Sequence, residues 1–294
     1  MEITKNGMYA ITGRPNVGKS TLANMLAGAK IAIVSPKPQT TRNRITAVCT
    51  RGACQFIFMD TPGFHKAQNR LGTYMNNIVS ESVADVDAIL LVVEPEPRVG
   101  TPEKLLIEKI SASKLPAILV INKTDTVQKD RILEVIAAYS SQYEFNDYLP
   151  ISAKNGIGGD MILDALEKFA LDGPQLFPDS QITDQPEKQI IAEIIREKLL
   201  TTLDKEIPHG TAVAVEKFEE SENIIDISVT IYCERASHKG IIIGKNGAKL
   251  KEIGALARVD IEEFLDSKVF LETWVKVKEN WRQSDAQLRN FGYN

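Results

Sequence analysis

The chain has 294 residues, of which 43% are hydrophobic and 25% charged, as in a globular protein large enough for two domains. The longest purely apolar run, residues 88–93, is far shorter than the ~20 residues that a membrane-spanning helix needs. The N-terminus has neither the apolar core of a signal peptide nor an arginine-rich presequence, so the sequence predicts a cytoplasmic protein. The three cysteines lack metal-ligand spacing and are expected to be reduced thiols.

Charge is divided unevenly along the chain. Residues 1–173 carry 19 Lys and Arg against 18 Asp and Glu, whereas residues 174–294 carry 16 against 21. Neither half is the basic block of a protein that coats nucleic acid through bulk electrostatics. Any contact with nucleic acid must therefore come from a local patch.

The first 173 residues alternate short apolar runs with amphipathic stretches. Continuous Val, Ile and Leu runs are typical of strands covered on both faces, and the alternation predicts an α/β domain with a mostly parallel sheet and helices on both faces. A hairpin at 50–54 indicates one antiparallel pair. The predicted strands are 8–12, 45–50, 54–60, 88–94, 117–123 and 148–153, with helices that include 101–111 and 130–143.

A second, smaller domain follows a proline-rich linker. Residues 174–186 contain polar residues and prolines without periodicity, which predicts a linker. The order of elements over residues 187–294 is α-β-β-α-α-β, an α+β arrangement. The predicted elements are a helix at 187–203, strands at 211–220 and 223–234, a long helix ending near Leu265 and a strand at 269–281.

Residues 13–21, GRPNVGKST, follow a predicted strand and open a predicted helix, which is the context of a P-loop. Glycines allow backbone N–H groups to surround phosphate oxygens, and the helix N-terminus adds a favourable dipole. Lys19 is expected on the β- and γ-phosphates, and the Ser20 hydroxyl on Mg²⁺. The predicted phosphate-binding residues are Gly13, Arg14, Pro15, Asn16, Val17, Gly18, Lys19, Ser20 and Thr21.

Residues 122–125, NKTD, stand at the end of a predicted buried strand, where open α/β sheets bind ligands. The Asp125 carboxylate can accept two hydrogen bonds from the N1–H and 2-amino groups of guanine, which adenine lacks. Asn122 would either tie this loop to the P-loop or reach the purine, and the Lys123 stem would lie over the ring. Residues 151–154, ISAK, contribute Ser152, Ala153 and Lys154, with a backbone N–H near Ala153 facing the guanine carbonyl.

Two further segments have the pattern of GTPase switches. The predicted nucleotide contacts of the DTPG stretch and its next residue are Asp60, Thr61, Pro62, Gly63 and Phe64. Asp60 is expected to hold Mg²⁺ through water, and the Gly63 N–H to sense the γ-phosphate. In the segment 35–44, Thr41 is the expected Mg²⁺ ligand, with Thr40 as the alternative. Together with Lys19, the residues Thr41, Asp60 and Gly63 make up the expected catalytic set of a guanine-nucleotide switch.

Phe64 occupies the place where many small GTPases have a glutamine that orients the attacking water. Phenylalanine cannot hydrogen-bond water, so slow intrinsic hydrolysis is expected unless another group or a partner positions the water. Phe64 can equally serve to pack the switch against the core. Asn16 is hypothesised to help bind a monovalent cation, K⁺, near the β/γ bridge.

The motifs GRPNVGKST, QTTRNR, DTPGFHK, NKTD and ISAKNG, followed by a linker and GIIIGKNGAKLKEIG, resemble those of the Era family of bacterial GTPases. The resemblance extends over nearly the whole chain and implies a C-terminal type II KH domain with a core at about 202–279. It also implies binding to the 3′ end of 16S rRNA, assistance in maturation of the 30S subunit, and release after GTP hydrolysis. Family members are further expected to be monomers that can associate peripherally with the inner membrane and influence the cell cycle.

The stretch GKNG, residues 244–247, is either an ordinary turn or the G-x-x-G loop with which KH domains clamp a nucleic-acid backbone. Residues 236–258 contain five Lys and Arg against one Glu, inside a half that is net negative. This local charge and the domain order favour the clamp. The predicted RNA contacts are Lys239, Ile242, Ile243, Gly244, Lys245, Asn246, Gly247, Lys249 and Lys251.

Two other functions fit parts of the sequence. One is an RNA-binding module with an inert nucleotide-holding half, against which the intact Lys19, Ser20 and Asp60 argue. The other is a membrane-associated or cell-cycle signalling GTPase whose C-terminal domain binds a protein partner.

Overall fold

The computed structural model describes residues 2–35, 37, 40–60, 62, 70–81, 86–204 and 206–293, with the backbone alone at 76–81. Contacts divide the chain into two compact units. The first comprises Met1–Ala67 and Gly72–Asp184, and the second comprises Gln68–Leu71 and Gln185–Asn294. No helix of the described residues is both long enough and apolar enough to pass through a membrane.

The first unit is a sheet with helices. Its elements are β1 (Lys5–Thr12), α1 (Lys19–Ala27), β2 (Ile45–Arg51), β3 (Cys54–Asp60), α2 (Arg70–Glu81, which belongs to this unit from Gly72 onward), β4 (Ala88–Val93), α3 (Thr101–Ser113), β5 (Ala117–Ile121), α4 (Lys129–Ser140), β6 (Asp147–Pro150), α5 (Gly159–Glu167) and β7 (Leu171–Asp172). All residues of β3, β4 and β5 are buried, as their near-continuous apolar sequences predict for strands covered on both faces. Separate apolar clusters lie on the two faces of the sheet.

The strands pair in the order β2-β3-β1-β4-β5-β6, and β7 pairs with the start of β1. The pairs β1/β3, β1/β4, β4/β5 and β5/β6 are parallel, so the loops that leave β1, β3, β5 and β6 emerge at one edge of the sheet. The pair β2/β3 is antiparallel, which confirms the hairpin predicted at 50–54. Strands β5 and β6 end at Ile121 and Pro150, earlier than predicted, and the residues after them form the loops of the candidate site.

The proline-rich segment after β7 packs on the first unit instead of standing apart from it. The fully buried Gln55 side chain of β3 donates to the carbonyl of Phe177 at 2.8 Å and accepts from the N–H groups of Leu176 and Phe177 at 2.9 Å. Farther along, the Val48 N–H of β2 donates to the carbonyl of Ile182 at 2.8 Å. These bonds explain why the first unit extends to Asp184, beyond the predicted boundary at residue 173.

Replacing Gln55 by alanine is expected to lower the free energy of unfolding by about 2–3 kcal/mol, because three hydrogen bonds of a buried side chain are lost. Denaturant unfolding followed by circular dichroism measures the change. The matched control is Gln175→Ala in the exposed part of the same segment, which should shift stability by less than about 0.5 kcal/mol. Equal effects of the two substitutions would contradict the anchoring role of Gln55.

The second unit has the predicted α-β-β-α-α-β order, followed by one more short helix. Its elements are α6 (Glu187–Thr202), β8 (Thr211–Glu220), β9 (Ile225–Cys233), α7 (Ala236–Ile243), α8 (Ala248–Leu265), β10 (Val269–Val277) and α9 (Asp285–Asn290). The strands pair in the order β10-β9-β8, with β8/β9 antiparallel and β10/β9 parallel. The last strand ends before Trp281, whose fully buried indole donates to the carbonyl of Gly210 at 3.0 Å.

Candidate nucleotide-binding site and nucleic-acid interface

The loop between β1 and α1 has the backbone that a phosphate cradle requires. Gly13 and Gly18 have φ values of 152° and 98°, a region that L side chains rarely adopt. A Cβ at Gly13 would lie 2.4 Å from the carbonyl oxygen of Val92, and one at Gly18 would lie 2.2 Å from the Asn122 amide. Both positions therefore need glycine for conformation and for space.

Lys19, the first residue of α1, folds back over this loop. Its Nζ donates to the carbonyls of Gly13 at 3.1 Å and Arg14 at 3.0 Å. Burial lowers the pKa of the Lys19 ammonium to about 8, against the opposing attraction of the Asp60 carboxylate. A cavity of about 300 Å³ opens beside the lysine and is lined by the P-loop residues Pro15, Asn16, Gly18, Lys19, Ser20 and Thr21, by Ile33, Val34, Ser35, Thr40 and Thr41, and by Lys123.

Three oxygen-bearing side chains meet at the end of α1 that faces this cavity. The Ser20 hydroxyl lies 2.7 Å from the Thr41 hydroxyl and donates to the carboxylate of Asp60 at 2.8 Å. Thr41 and Asp60 are buried. The Thr40 hydroxyl instead donates to the carbonyl of Lys37 at 2.7 Å, inside its own loop. The geometry therefore favours Thr41 over Thr40 as the partner of Ser20 and Asp60.

The oxygen set of Ser20, Thr41 and Asp60 suits a hard cation such as Mg²⁺, which prefers oxygen ligands and keeps several waters. Among the described residues, no group of three His, Cys, Asp or Glu side chains could hold a metal.

Asn122 connects three loops. Its buried amide donates to the carbonyl of Val17 in the P-loop at 2.9 Å and accepts from the Ala153 N–H at 3.0 Å. Of the two roles that the sequence left open for Asn122, the structure places it as the tie to the P-loop. The Ala153 N–H is engaged by this bond, and the predicted backbone N–H near Ala153 that faces the guanine carbonyl stays a prediction. The next N–H in the same turn belongs to Lys154.

Asp125 is presented at the surface of the same loop. Its carboxylate accepts from the buried Ser152 hydroxyl at 2.5 Å, and this hydrogen bond lowers the pKa of Asp125. A neighbour from the loop after β6 therefore favours the ionised form of the side chain and fixes its position. Ser152, predicted only as part of the ISAK motif, orients the candidate base-recognition group.

The second switch is only partly covered by the described residues. Pro62 is described and buried. Thr61, Gly63 and Phe64 lie outside the described residues, and the predictions made for them remain predictions.

Sequence reasoning missed a group of acidic residues behind the P-loop. The Arg14 guanidinium pairs with Glu94, with Glu103 at 3.2 Å and with Glu96 at 3.7 Å. Glu94 pairs in addition with Lys123. Two glutamates in the EPEP stretch after β4, together with an arginine inside the P-loop, are the sequence signal that could have indicated this group.

In the second unit, GKNG forms a tight connection between α7 and α8. Gly244 and Gly247 have φ values of 71° and 77°, and Asn246 has 51°. A Cβ at Gly244 would lie 2.6 Å from the Cβ of Lys249, whereas one at Gly247 would have nothing within 4 Å. Gly244 is thus needed for packing, and Gly247 leaves open space for an incoming backbone.

The side chains around this loop are unequally available. Lys245, Asn246 and Lys251 are exposed, whereas Lys239 and Lys249 are half-buried. The Lys249 ammonium also lies 3.0 Å from the Glu252 carboxylate, which offsets part of the positive charge. The described lysines therefore present a basic patch on one part of a domain that is otherwise acidic.

The prediction for Ile242 as an RNA contact is corrected by its burial. Its side chain is 0% exposed in the core of the second unit, whereas Ile241 is 50% exposed. Ile243 is partly buried against the core. Successive helical residues point about 100° apart, so a run of isoleucines must divide between core and surface.

A P-loop domain that carries a magnesium-type oxygen cluster and a guanine-type base loop, joined to a domain with a G-x-x-G connection, is a GTPase of the RNA-associated class. Two family models match the chain. The model described as a 50S ribosome-binding GTPase matches residues 8–123, and the KH domain model matches residues 206–282. The chain is 50% identical over 290 residues to GTPase Era of Ruminiclostridium cellulolyticum, covering 98% of this chain and 97% of the relative. It is 50% identical over 293 residues to GTPase Era of Clostridioides difficile, covering 99% of both chains. The chain belongs to the Era family of GTPases.

Two solved structures are similar over the whole chain. One is Era in complex with MgGDPNP and nucleotides 1506–1542 of 16S ribosomal RNA, with a TM-score of 0.94, 37% identity and 99% of each chain covered. The other is an Aquifex aeolicus Era variant bound to GDP·AlF4⁻, with a TM-score of 0.94, 37% identity, and 98% of this chain and 99% of that chain covered. The fold is that of a mostly parallel P-loop GTPase domain followed by a KH domain, as the sequence predicted.

Proposed function

We propose that this protein is a Mg²⁺-dependent GTPase that binds the 3′ region of 16S rRNA through its KH domain and assists maturation of the 30S subunit. The observation that carries the GTPase assignment is the Asn122 bridge, which joins the base loop to the phosphate loop and to the loop after β6. The RNA assignment is supported by the full-length similarity to an Era bound to 16S rRNA and by the G-x-x-G connection with its lysines.

The phosphate side of the site would act through Lys19 and the oxygen cluster. The Lys19 ammonium, already directed at the loop carbonyls, neutralises charge on the β- and γ-phosphates. Ser20 and Thr41 would hold Mg²⁺ directly and Asp60 would hold it through water. A Mg²⁺ ion held by these side chains would supply positive charge to the phosphate oxygens of the nucleotide.

The base side would recognise guanine by complementary hydrogen bonds. Asp125, held by Ser152, accepts from two donors of the base, and the Lys123 stem covers its face. The Lys154 N–H is our candidate donor to the guanine carbonyl, because the Ala153 N–H is bonded to Asn122. An adenine offers neither of the two donors and would leave the carboxylate unmatched.

Replacing Thr41 by alanine is expected to weaken Mg²⁺·GTP binding and slow hydrolysis by roughly 10- to 100-fold, since a metal-site hydroxyl is lost. Thr40→Ala is the matched control, because its hydroxyl bonds within its own loop and should change hydrolysis by less than about threefold. Phosphate release with purified protein measures both, with Lys19→Ala as the inactive reference. The opposite ranking of the two threonine variants would make Thr40 the ligand. Turnover no faster than in the Lys19→Ala variant would reject the GTPase assignment.

A monovalent-cation requirement is a separate proposal that rests on Asn16. This residue is exposed in the P-loop with a φ of 67°, and its carbonyl accepts from the Lys123 ammonium at 2.7 Å. If the Asn16 side chain helps to hold K⁺, hydrolysis should be faster in K⁺ than in Na⁺ at equal ionic strength. Equal rates in the two salts would exclude this role.

Peripheral association with the inner membrane, a monomeric state and an influence on the cell cycle stay predictions of the family resemblance. The cytoplasmic location, which the N-terminal sequence predicts, also stays a prediction. The domain division also stays a proposal. We place the GTPase domain before residue 185 and the KH domain after it, which moves the predicted linker largely into the first unit.

A further inference from the structure

Glu94 follows β4 directly, and the sheet order explains where it lies. Strand β4 runs between β1 and β5, so the residue after β4 emerges between the loops that follow its two neighbours. One of these is the P-loop, which contains Arg14, and the other is the base loop, which contains Lys123. The two loops are separated by more than 100 residues in the chain, yet Glu94 reaches both.

The two oxygens of the Glu94 carboxylate have different partners. Oε2 pairs with the Arg14 guanidinium, and Oε1 pairs with the Lys123 ammonium. The Lys123 ammonium also donates to the Asn16 carbonyl at 2.7 Å. The head of the lysine is thereby held at two points, which places its aliphatic stem at the position from which it can cover a base.

The Arg14 guanidinium is engaged by three acidic side chains. Its guanidinium pairs with Glu94 and lies 3.2 Å from the carboxylate of Glu103, whose side chain is 7% exposed. The third partner, Glu96, is 64% exposed and lies 3.7 Å away. The arginine is thus held by a buried glutamate while it pairs with Glu94.

We infer that Glu94 is a positioning residue for guanine nucleotides, which braces the base loop against the phosphate loop by holding Lys123 and Arg14 together. The inference rests on the proposed function, since it assumes that these loops bind one nucleotide between them. Glu94 does not need to touch the nucleotide. Its loss should release the lysine head and shorten the residence of the bound nucleotide.

Dissociation of N-methylanthraniloyl-GDP from the full chain, followed by stopped-flow fluorescence, tests the inference. Glu94→Gln keeps the shape of the side chain and removes its charge. We expect it to raise the dissociation rate about fivefold, the equivalent of about 1 kcal/mol for partly exposed ion pairs. Glu96→Gln removes a neighbouring charge that contacts Arg14 and not Lys123, and it should change the rate by less than about twofold.

A double-mutant cycle separates positioning from a general effect on the fold. If Glu94 acts as a bridge, Glu94→Gln should add less than about twofold in either a Lys123→Met or an Arg14→Gln background. The inference would be overturned if Glu94→Gln raised the dissociation rate less than about twofold in the unsubstituted protein. It would also be overturned if Glu94→Gln raised the rate more than about twofold in either variant background. Failure of the unsubstituted protein to bind the labelled GDP would instead count against the proposed function, so the two failures are distinguishable.

Discussion

Asp125→Asn is expected to change the preferred base from guanine to xanthine. The carboxylate accepts two hydrogen bonds from guanine, and an amide can accept only with its oxygen while its NH₂ group opposes a donor of the base. Sites built to hydrogen-bond a substrate group reject the unmatched analogue strongly, so GTP affinity should fall by roughly two to four orders of magnitude. Xanthine has a carbonyl in place of the 2-amino group, and the new amide can donate to it.

The environment of Asp125 favours this exchange over a simple loss of binding. The Ser152 hydroxyl donates to one carboxylate oxygen at 2.5 Å and can donate in the same way to the oxygen of an asparagine. That bond leaves the NH₂ group directed at the base. The surface position of the residue means that the substitution should leave the fold unchanged.

Competition of GTP and XTP with labelled GDP or XDP for the site measures the base preference. XTP hydrolysis by the variant shows whether catalysis changes together with that preference. The matched control is Asp130→Asn, an exposed aspartate in the first turn of α4 in the same unit, which should leave the preference for GTP intact. A variant at position 125 that still prefers GTP would show that another group selects the base.

The parts of the site that sequence predicts well are those in which local backbone chemistry decides the geometry. Gly13, Gly18 and Lys19 follow from a strand, a glycine-rich turn and a helix start, all within ten residues. Their positions depend on φ values and close approaches that only glycine permits. Asp60 and Asp125 were predicted for a related reason, because the ends of parallel strands meet at one edge of the sheet.

The features of the structure that could not be predicted from the sequence depend on contacts between distant segments of the chain. The Glu94 bridge exists because β4 lies between β1 and β5, and composition does not reveal that order. The segment 174–186 has the composition of a flexible linker, yet the buried Gln55 side chain of β3 binds it to the first unit through three hydrogen bonds. In the second unit, the run of three isoleucines does not reveal which of them face the core. The orientation of the helix about its axis determines that Ile242 is buried and Ile241 is exposed.

The G-x-x-G connection allows a test in which charge can be separated from strain. A Cβ at Gly247 meets nothing within 4 Å, so an aspartate there would extend into the space that a nucleic-acid backbone should occupy. We expect Gly247→Asp to weaken binding to an RNA of the 16S 3′-terminal region by about 100-fold, because a negative charge and a side chain replace the close approach of a phosphate. GTP hydrolysis without RNA should be unchanged. Fluorescence anisotropy with the labelled RNA measures the affinity.

Two control substitutions separate the effect of the negative charge on RNA binding from the effects of side-chain size and of position in the chain. Gly247→Asn adds a neutral side chain of the same size that tolerates a φ of 77°, and it should cost less than about tenfold in affinity. Gly52→Asp places the same charge at a glycine with a φ of 61° and nothing within 4 Å, in the β2–β3 hairpin of the first unit, and it should leave RNA binding intact. If Gly247→Asp bound RNA as tightly as the unsubstituted protein, the stretch 244–247 would be an ordinary turn. A loss much larger for Gly247→Asp than for either control would instead mean that the KH domain binds a single strand at one small patch. The close approach of the RNA backbone to Gly247, and not the net charge of the domain, would then determine binding.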